Sequence, residues 1–433
     1  VIEKGRIALV VLTMVVGAAA CSGEDDKRSG AGSRKTEIPY GGPALPRVEG
    51  KPVWSAPSPG ISAVLGYGNA VAMLSAQGNQ VTVLDAVTGK TLQRHQLNVV
   101  DKPALLSGEP VRLLRDTVQG RPVAVVRFTE QIPASGMQGE HEQLTDLVLD
   151  TAGRQLWRPP PNGSGSRATW TTQRDVGPFD SGYAISHRNT QGPAKEGSWG
   201  ITTFQAINGG NPIQVPSDYG DDEVHDVAGD KAVMTDDQVL EDGLRGVDLA
   251  QGGKVIWKVP RSSYLATVGP NVLIRVNKPE KSPGLGSTPD TRIQQIDLAT
   301  GRVRTDVAES EINNGSRLDA MTYDPQTRAI IGFSGWRIVI IDGDTGRLRW
   351  RQDGPSPRQM SAVASAGGVT FMALEQQRGF GQAQTGPSGF LALDNRTGQV
   401  VADNLSVTAL AVNDGFVVVE HGGSLYGFRL KAA

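Results

Sequence analysis

Ile338-Val-Ile-Ile-Asp342-Gly-Asp-Thr-Gly346-Arg-Leu-Arg-Trp350 contains a strand, a tight turn and a second strand. The apolar run before the turn suits a strand covered on both faces. Asp342 ends that strand, and its carboxylate can accept hydrogen bonds from amides two residues on, which starts a turn. Gly346 closes the turn with a positive φ at little steric cost, as in hairpin loops that carry a bulge. The same turn returns as Asp85-Ala-Val-Thr-Gly89, Asp297-Leu-Ala-Thr-Gly301 and Asp394-Asn-Arg-Thr-Gly398. Worn copies stand at Asp150-Thr-Ala-Gly153, Ile207-Asn-Gly-Gly210 and Asp248-Leu-Ala-Gln-Gly-Gly253. A strand–turn–strand unit returning every ~40–65 residues predicts an all-β repeat architecture, a β-propeller.

A second mark sits at a fixed offset. Trp157, Trp257 and Trp350 each lie four residues after a turn glycine. A large aromatic there is expected to anchor against the neighbouring blade rather than hold a ligand. Gly50-Lys-Pro-Val-Trp54 has the same spacing with no strand pair before it. The complementary gap is at the other end, where Gly415-Phe-Val-Val-Val-Glu420 and Ser424-Leu-Tyr-Gly-Phe-Arg-Leu430 lack an outer strand. Ring closure resolves both: the segment around Trp54 becomes the outer strand of the last blade, which removes two open sheet edges. The expected ring has eight blades, at 60–98, 103–158, 167–216, 222–259, 262–307, 315–353, 359–404, and 405–430 with 50–56. If the worn third copy is not a blade, the ring has seven.

These residues resemble the pyrroloquinoline-quinone-like propeller repeat, whose core reads Ala-x-Asp-x-x-Thr-Gly-x-x-x-Trp. The similarity covers most of residues 50–430. That family includes quinone-dependent dehydrogenases and a non-enzymatic, eight-bladed lipoprotein of outer-membrane barrel assembly, so the fold alone does not select a function. The resemblance implies, for an enzyme, a vicinal cysteine pair on the quinone, calcium ligands and a catalytic aspartate. This chain has one cysteine, Cys21, and no Asp-x-Asp-x-Asp-Gly loop. No cofactor and no catalytic residue is therefore expected. The five histidines, His95, His141, His187, His225 and His421, fall in different blades or loops. No His-Glu-x-x-His, Gly-x-Ser-x-Gly or phosphate-loop pattern is present. His421-Gly-Gly423 reads as a two-residue hairpin turn. The alternatives to a binding module are an envelope hydrolase or lyase, whose carboxylates would converge from different blades, and a quinone-dependent dehydrogenase.

The first residues read as an export signal. Lys4 and Arg6 precede an apolar run from Ile7 to Ala20, too short for a span of ~20 residues. The run ends in Ala18-Ala-Ala-Cys21-Ser22, which resembles the bacterial lipobox. Residues 1–20 are thus expected to be a signal peptide and Cys21 an acylated, palmitate-type anchor. Ala18 stands where that motif prefers Leu. Residues 22–35 are small, polar and charged without periodicity, and 21–46 reads as a flexible tether, with the propeller at 47–433. The expected localisation is the extracytoplasmic face of the cell membrane, held through lipid only.

The chain has 43 basic and 45 acidic residues, a formal net charge of -2, which offers no nucleic-acid surface. Thirteen Lys against thirty Arg fits a GC-rich bacterial genome of the actinobacterial kind. The long connections, Gln131–Gln143, Asn189–Ser198, Asp236–Gly243, Lys278–Thr291 and Gln376–Ser388, with Val99–Pro110, Pro159–Ser166 and Ser217–Asp222 between blades, fall on one face. Loops on one face of a rigid scaffold are where binding is expected. On that face an acidic stretch, Asp218 to Asp242, surrounds Lys231. It reads as a solvated patch, with a cationic partner or a metal site as alternatives. The expected protein is a monomeric binding or scaffold module for an envelope protein or polymer.

Overall fold

The computed structural model describes residues 38–58, 60–100, 111–134, 140–158, 179–191, 198–217, 224–236, 243–278, 290–313, 321–334, 337–352, 359–375, 389–405, 408–413 and 415–431. These form eight four-stranded antiparallel sheets, with one short helix, Glu309–Asn313, among the described residues. The chain is an eight-bladed β-propeller, and the seven-bladed alternative falls away. Blades 1 to 7 span Ile61–Gln96, Val111–Trp157, Phe179–Ser217, Val224–Pro260, Ser262–Ala308, Met321–Arg351 and Gln359–Leu405. Blade 8 joins Thr408–Val412, Phe416–His421 and Ser424–Arg429 to Trp54–Pro57. Each blade runs from an inner strand at the axis to an outer strand at the rim. The worn third blade has the shortest inner strand, Phe179–Asp180, which pairs over two residues.

The turn chemistry is as the sequence implies. At Asp342 the carboxylate accepts the amides of Asp344 (3.1 Å) and Thr345 (2.9 Å) and the Thr345 hydroxyl (2.9 Å). Asp297 and Asp394 repeat the arrangement with Thr300 and Thr397. After the turn the ladder slips by one. Ile341 faces Leu348 and Ile340 faces Trp350, so Arg349 is bulged out. The same slip leaves Leu92, Leu156, Ile256, Arg304 and Val401 without partners. Opposed residues point to the same face of a sheet, so this bulge moves the fourth residue after the glycine to the face that meets the next blade.

That displacement explains the tryptophans. Trp350 of blade 6 packs with Ile338 and Ile340 against Leu391 and Leu393 of blade 7. A Cβ on Gly398, the turn glycine of blade 7, would overlap its indole, and Gly301 stands against Trp257 in the same way. The Trp257 indole donates to the Leu298 carbonyl of blade 5 (2.9 Å), and the Trp54 indole to Ala86 of blade 1 (2.7 Å). One blade's tryptophan thus keys the next blade's turn.

Closure occurs at the expected strand, the segment around Trp54. Trp54 pairs with Gly427 and Pro57 with Ser424, while Val48 bridges Leu430. The propeller also begins earlier than the boundary expected at residue 46. Tyr40 packs edge-on against Tyr426 and Phe428, each at 5.0 Å, and against His421 at 5.8 Å. Leu45 and Val48 are buried with Phe371, Phe390 and Leu405 of blade 7 and Phe428 of blade 8. Arg47 reaches Asp394 in the blade 7 turn (3.0 Å). Residues 40–57 therefore touch blades 7, 8 and 1.

Candidate functional site

The two faces of the disc are not equivalent. On one, every inner-to-second and third-to-outer connection is short, and the turn aspartates are committed to the turns and to their neighbours. Arg304 holds Asp297 below the usual carboxylate range, with Thr300 adding donors. At Asp342 and Asp394 burial favours the neutral acid. The donors outweigh it, Arg349 and Thr345 at Asp342, Thr397, Arg396 and Arg47 at Asp394, so both are lowered.

The other face carries the second-to-third and blade-to-blade connections. Most of the long loops expected there lie outside the described residues, but their stems do not. The second strand of blade 2, Arg121–Ile132, is paired with its neighbour up to Ile132 opposite His141. In blade 3 the pairing runs to Gln191 opposite Ser198. A 12-residue strand spans ~40 Å, against ~20 Å for the six-residue strands of blades 4 and 6. The blade 2 hairpin therefore projects, and it is braced. Arg158 donates to both Glu130 oxygens at 2.7 Å and lies over the Phe128 ring at 5.7 Å. Val99 bridges Glu130, and the Val100 amide donates to the Thr129 carbonyl at 3.0 Å. The connection from blade 1 thus forms an extra edge on this hairpin.

Near the axis lies a group that the sequence did not disclose. Asp116, Asp180 and Asp226 come from the inner strands of blades 2, 3 and 4 and join successive blades. The Ser181 amide donates to Asp116 (3.0 Å) and the Val227 amide to Asp180 (2.9 Å). The Tyr264 hydroxyl of blade 5 donates to Asp226 (2.9 Å), and His225 stacks on the Tyr264 ring at 5.3 Å. Burial pushes Asp116 up to about 6 against the donors Thr117 and Ser181, with the Asp226 charge adding to the rise. Burial, then the charges of Asp226 and Asp116, hold Asp180 well above the usual range, and burial raises Asp226. Among the described residues no group of three or more His, Cys, Asp or Glu is arranged to hold a metal ion.

This corrects the acidic stretch expected on the long-loop face. Asp226 lies on the inner strand of blade 4 against Tyr264 of blade 5, Asp230 sits in a short turn of the opposite face beside Lys231, and Asp236 pairs with Lys258 at 2.9 Å. Asp218, Asp221, Asp222, Glu223, Asp237, Glu241 and Asp242 lie outside the described residues, as does Cys21. His95 contacts the Gly153 carbonyl of blade 2 at 2.7 Å. The hairpin at His421 has Gly422 and Gly423 at φ 57° and 75°, the two-residue turn expected.

The axial trio gives a pH dependence with a definite sign. Its carboxyls are raised in the folded chain, so their contribution is fully present below the unfolded value of about 4 and lost as pH rises through about 6. The turn aspartates act oppositely: their contribution is present above about 4 and lost below it. Melting temperature is therefore expected to be higher at mildly acid than at alkaline pH, with a fall that begins near pH 4 and runs up through about 6. Asp180→Asn should flatten that fall, as scanning calorimetry of both chains would show. An unchanged slope would remove the trio as its cause.

Eight blades keyed by Asp-Thr-Gly turns and tryptophans define a pyrroloquinoline-quinone-like repeat propeller. Residues 148–432, more than half of the chain, match the family described as outer membrane protein assembly factor BamB, and the chain belongs to that family. No curated protein matches it in sequence. Among solved structures, BamB from Moraxella catarrhalis is similar at 11% identity and TM-score 0.46, covering 88% of this chain and 99% of that one. Quinohemoprotein alcohol dehydrogenase from Comamonas testosteroni is similar at 12% identity and TM-score 0.45, covering 88% and 76%.

Proposed function

We propose that the protein is a lipid-anchored, extracytoplasmic scaffold that binds an envelope protein or polymer through its long-connection face and catalyses no reaction. The observation that carries this reading is the asymmetry of the disc. The short-turn face is used up in locking blade to blade, while the opposite face raises a braced hairpin at blade 2 and a long one at blade 3. Membership in an assembly-factor family agrees with binding as the activity. The anchor would be Cys21, which would keep the propeller at the membrane while the tether lets it turn toward a partner.

Two changes test the proposal. Cys21→Ser should move the chain from the membrane to the soluble secreted fraction without changing its melting temperature. A variant still retained after a carbonate wash would remove Cys21 as the anchor. Replacing Lys278–Thr291 or Gln376–Ser388 with a tight turn should leave the melt within a few degrees and weaken partner capture by crosslinking on intact cells. Unchanged capture with both loops shortened would sink this face as the binding surface.

A further inference from the structure

The short-turn face commits its carboxylates but not its cations. Asp150, Asp297, Asp342, Asp344 and Asp394 each hold an arginine, and Lys231 lies between Asp230 and Asp248. Asp85 is held by its own turn donors, and Glu49 of the closing segment is an exposed carboxylate with which no described cation pairs. The axial trio lies on the inner strands, away from the rim. What remains at the rim is basic. The residue directly after the turn glycine is Lys90, Lys254, Arg302 and Arg347 in blades 1, 4, 5 and 6, each exposed and without a carboxylate partner among the described residues. Arg396 in the blade 7 turn is left in the same way. Beside these cations lies apolar surface. The exposed large apolar side chains among the described residues are Leu92, Leu156, Val255, Val303, Leu348, Val400 and Val401. Each stands two or three residues after a turn glycine, at the start of an outer strand. Exposed apolar groups are ordinarily scattered over a surface. Here they keep to one level of the disc.

We propose that the short-turn rim rests on an anionic lipid surface, with the unpaired lysines and arginines on headgroup phosphates and the adjoining leucines and valines in the interfacial layer. A strand rises ~3.4 Å per residue, so both groups lie within ~10 Å of the turn. Apolar side chains of an interfacial protein enter the headgroup boundary by ~5–10 Å, the same depth. A cation near an anionic leaflet strengthens binding by about fivefold, an effect that falls off within a Debye length. A soluble polyanion would be held by the cations alone and would leave the apolar level without a use. The long-connection face then points away from the bilayer, toward a partner. The contact does not need acylation of Cys21, which would add only local concentration.

A label tests the contact in the full chain carrying Cys21→Ser, which removes both the acylation point and the native thiol. An environment-sensitive thiol dye at Leu348→Cys should shift to the blue on vesicles of phosphatidylglycerol and phosphatidylcholine in equal parts, and be quenched by spin-labelled lipid. The same dye at Gln131→Cys, on the opposite face, should do neither. Vesicles of phosphatidylcholine alone, or high salt, should abolish the shift. Lys254→Gln, Arg302→Gln and Arg347→Gln together should weaken vesicle binding about a hundredfold. Val255→Ser with Val303→Ser should weaken it several-fold and leave the binding of soluble polyphosphate unchanged. These side chains are exposed, so melting should not change. Equal shifts at the two labels, a shift as large on phosphatidylcholine, affinity that ignores the triple substitution, or polyphosphate bound as tightly as the vesicles would overturn the proposal. Such a failure leaves the long-connection face as the partner surface, which capture on cells reads separately.

Discussion

A chain that begins at residue 58 is expected to aggregate, or to melt on the order of 15 °C lower than one that begins at residue 38. The shorter chain loses Leu45, Val48 and Trp54, all buried. Truncating a buried Leu costs about 2–5 kcal/mol and a buried Trp about 3–5, and here the backbone partners go too. Ser424–Arg429 would then become an open edge, and the turn at Asp85–Gly89 would lose the indole that covers it. Light scattering during a thermal ramp reads both outcomes. Equal melting of the two chains would show that the ring does not rely on its N-terminal strand.

The second large effect is expected at the blade 6–blade 7 key. Gly398 has φ 71° and a Cβ there would overlap the Trp350 indole. Gly398→Val should therefore destabilise by about 2–5 kcal/mol, combining a left-handed backbone strain of ~1–2 with overpacking of ~1–3. Gly422, also at positive φ, has nothing within 4 Å of a Cβ. Gly422→Ala should therefore lose about 1 kcal/mol, from strain alone. In a Trp350→Ala background the overpacking part of Gly398→Val should vanish. Urea melts of the four chains give a coupling energy, expected at about 1–3 kcal/mol. Additive losses would separate the glycine from the tryptophan.

What the sequence discloses here is whatever is both local and repeated. The Asp-x-x-Thr-Gly turns, the tryptophan four residues on and the His421 hairpin each depend on neighbours within a few positions, so each copy confirms the others. The closing strand was legible because Trp54 carried the mark of an outer strand without its blade. The axial trio had no such mark. Asp116, Asp180 and Asp226 are separated by some fifty residues and become neighbours through the ring geometry alone. Tyr40 and Leu45 sit in a glycine- and proline-rich stretch whose burial depends on the seam between blades 7 and 8.

The strand at Trp54–Pro57 also sets a clock. It is made before any blade, yet its partner at Ser424–Arg429 follows all the strands of blades 1 to 7. Closing a loop of this length costs about 2 kcal/mol more than closing one blade of ~40 residues, because closure entropy grows with the logarithm of length. Until the last strands arrive, Trp54 and the blade 1 turn it covers must wait with their apolar surfaces exposed. A chain interrupted before residue 424 lacks the partner of Trp54–Pro57 and cannot complete its eighth blade. The closed ring thus ties the completion of the first strand in sequence to the presence of residues 424–429.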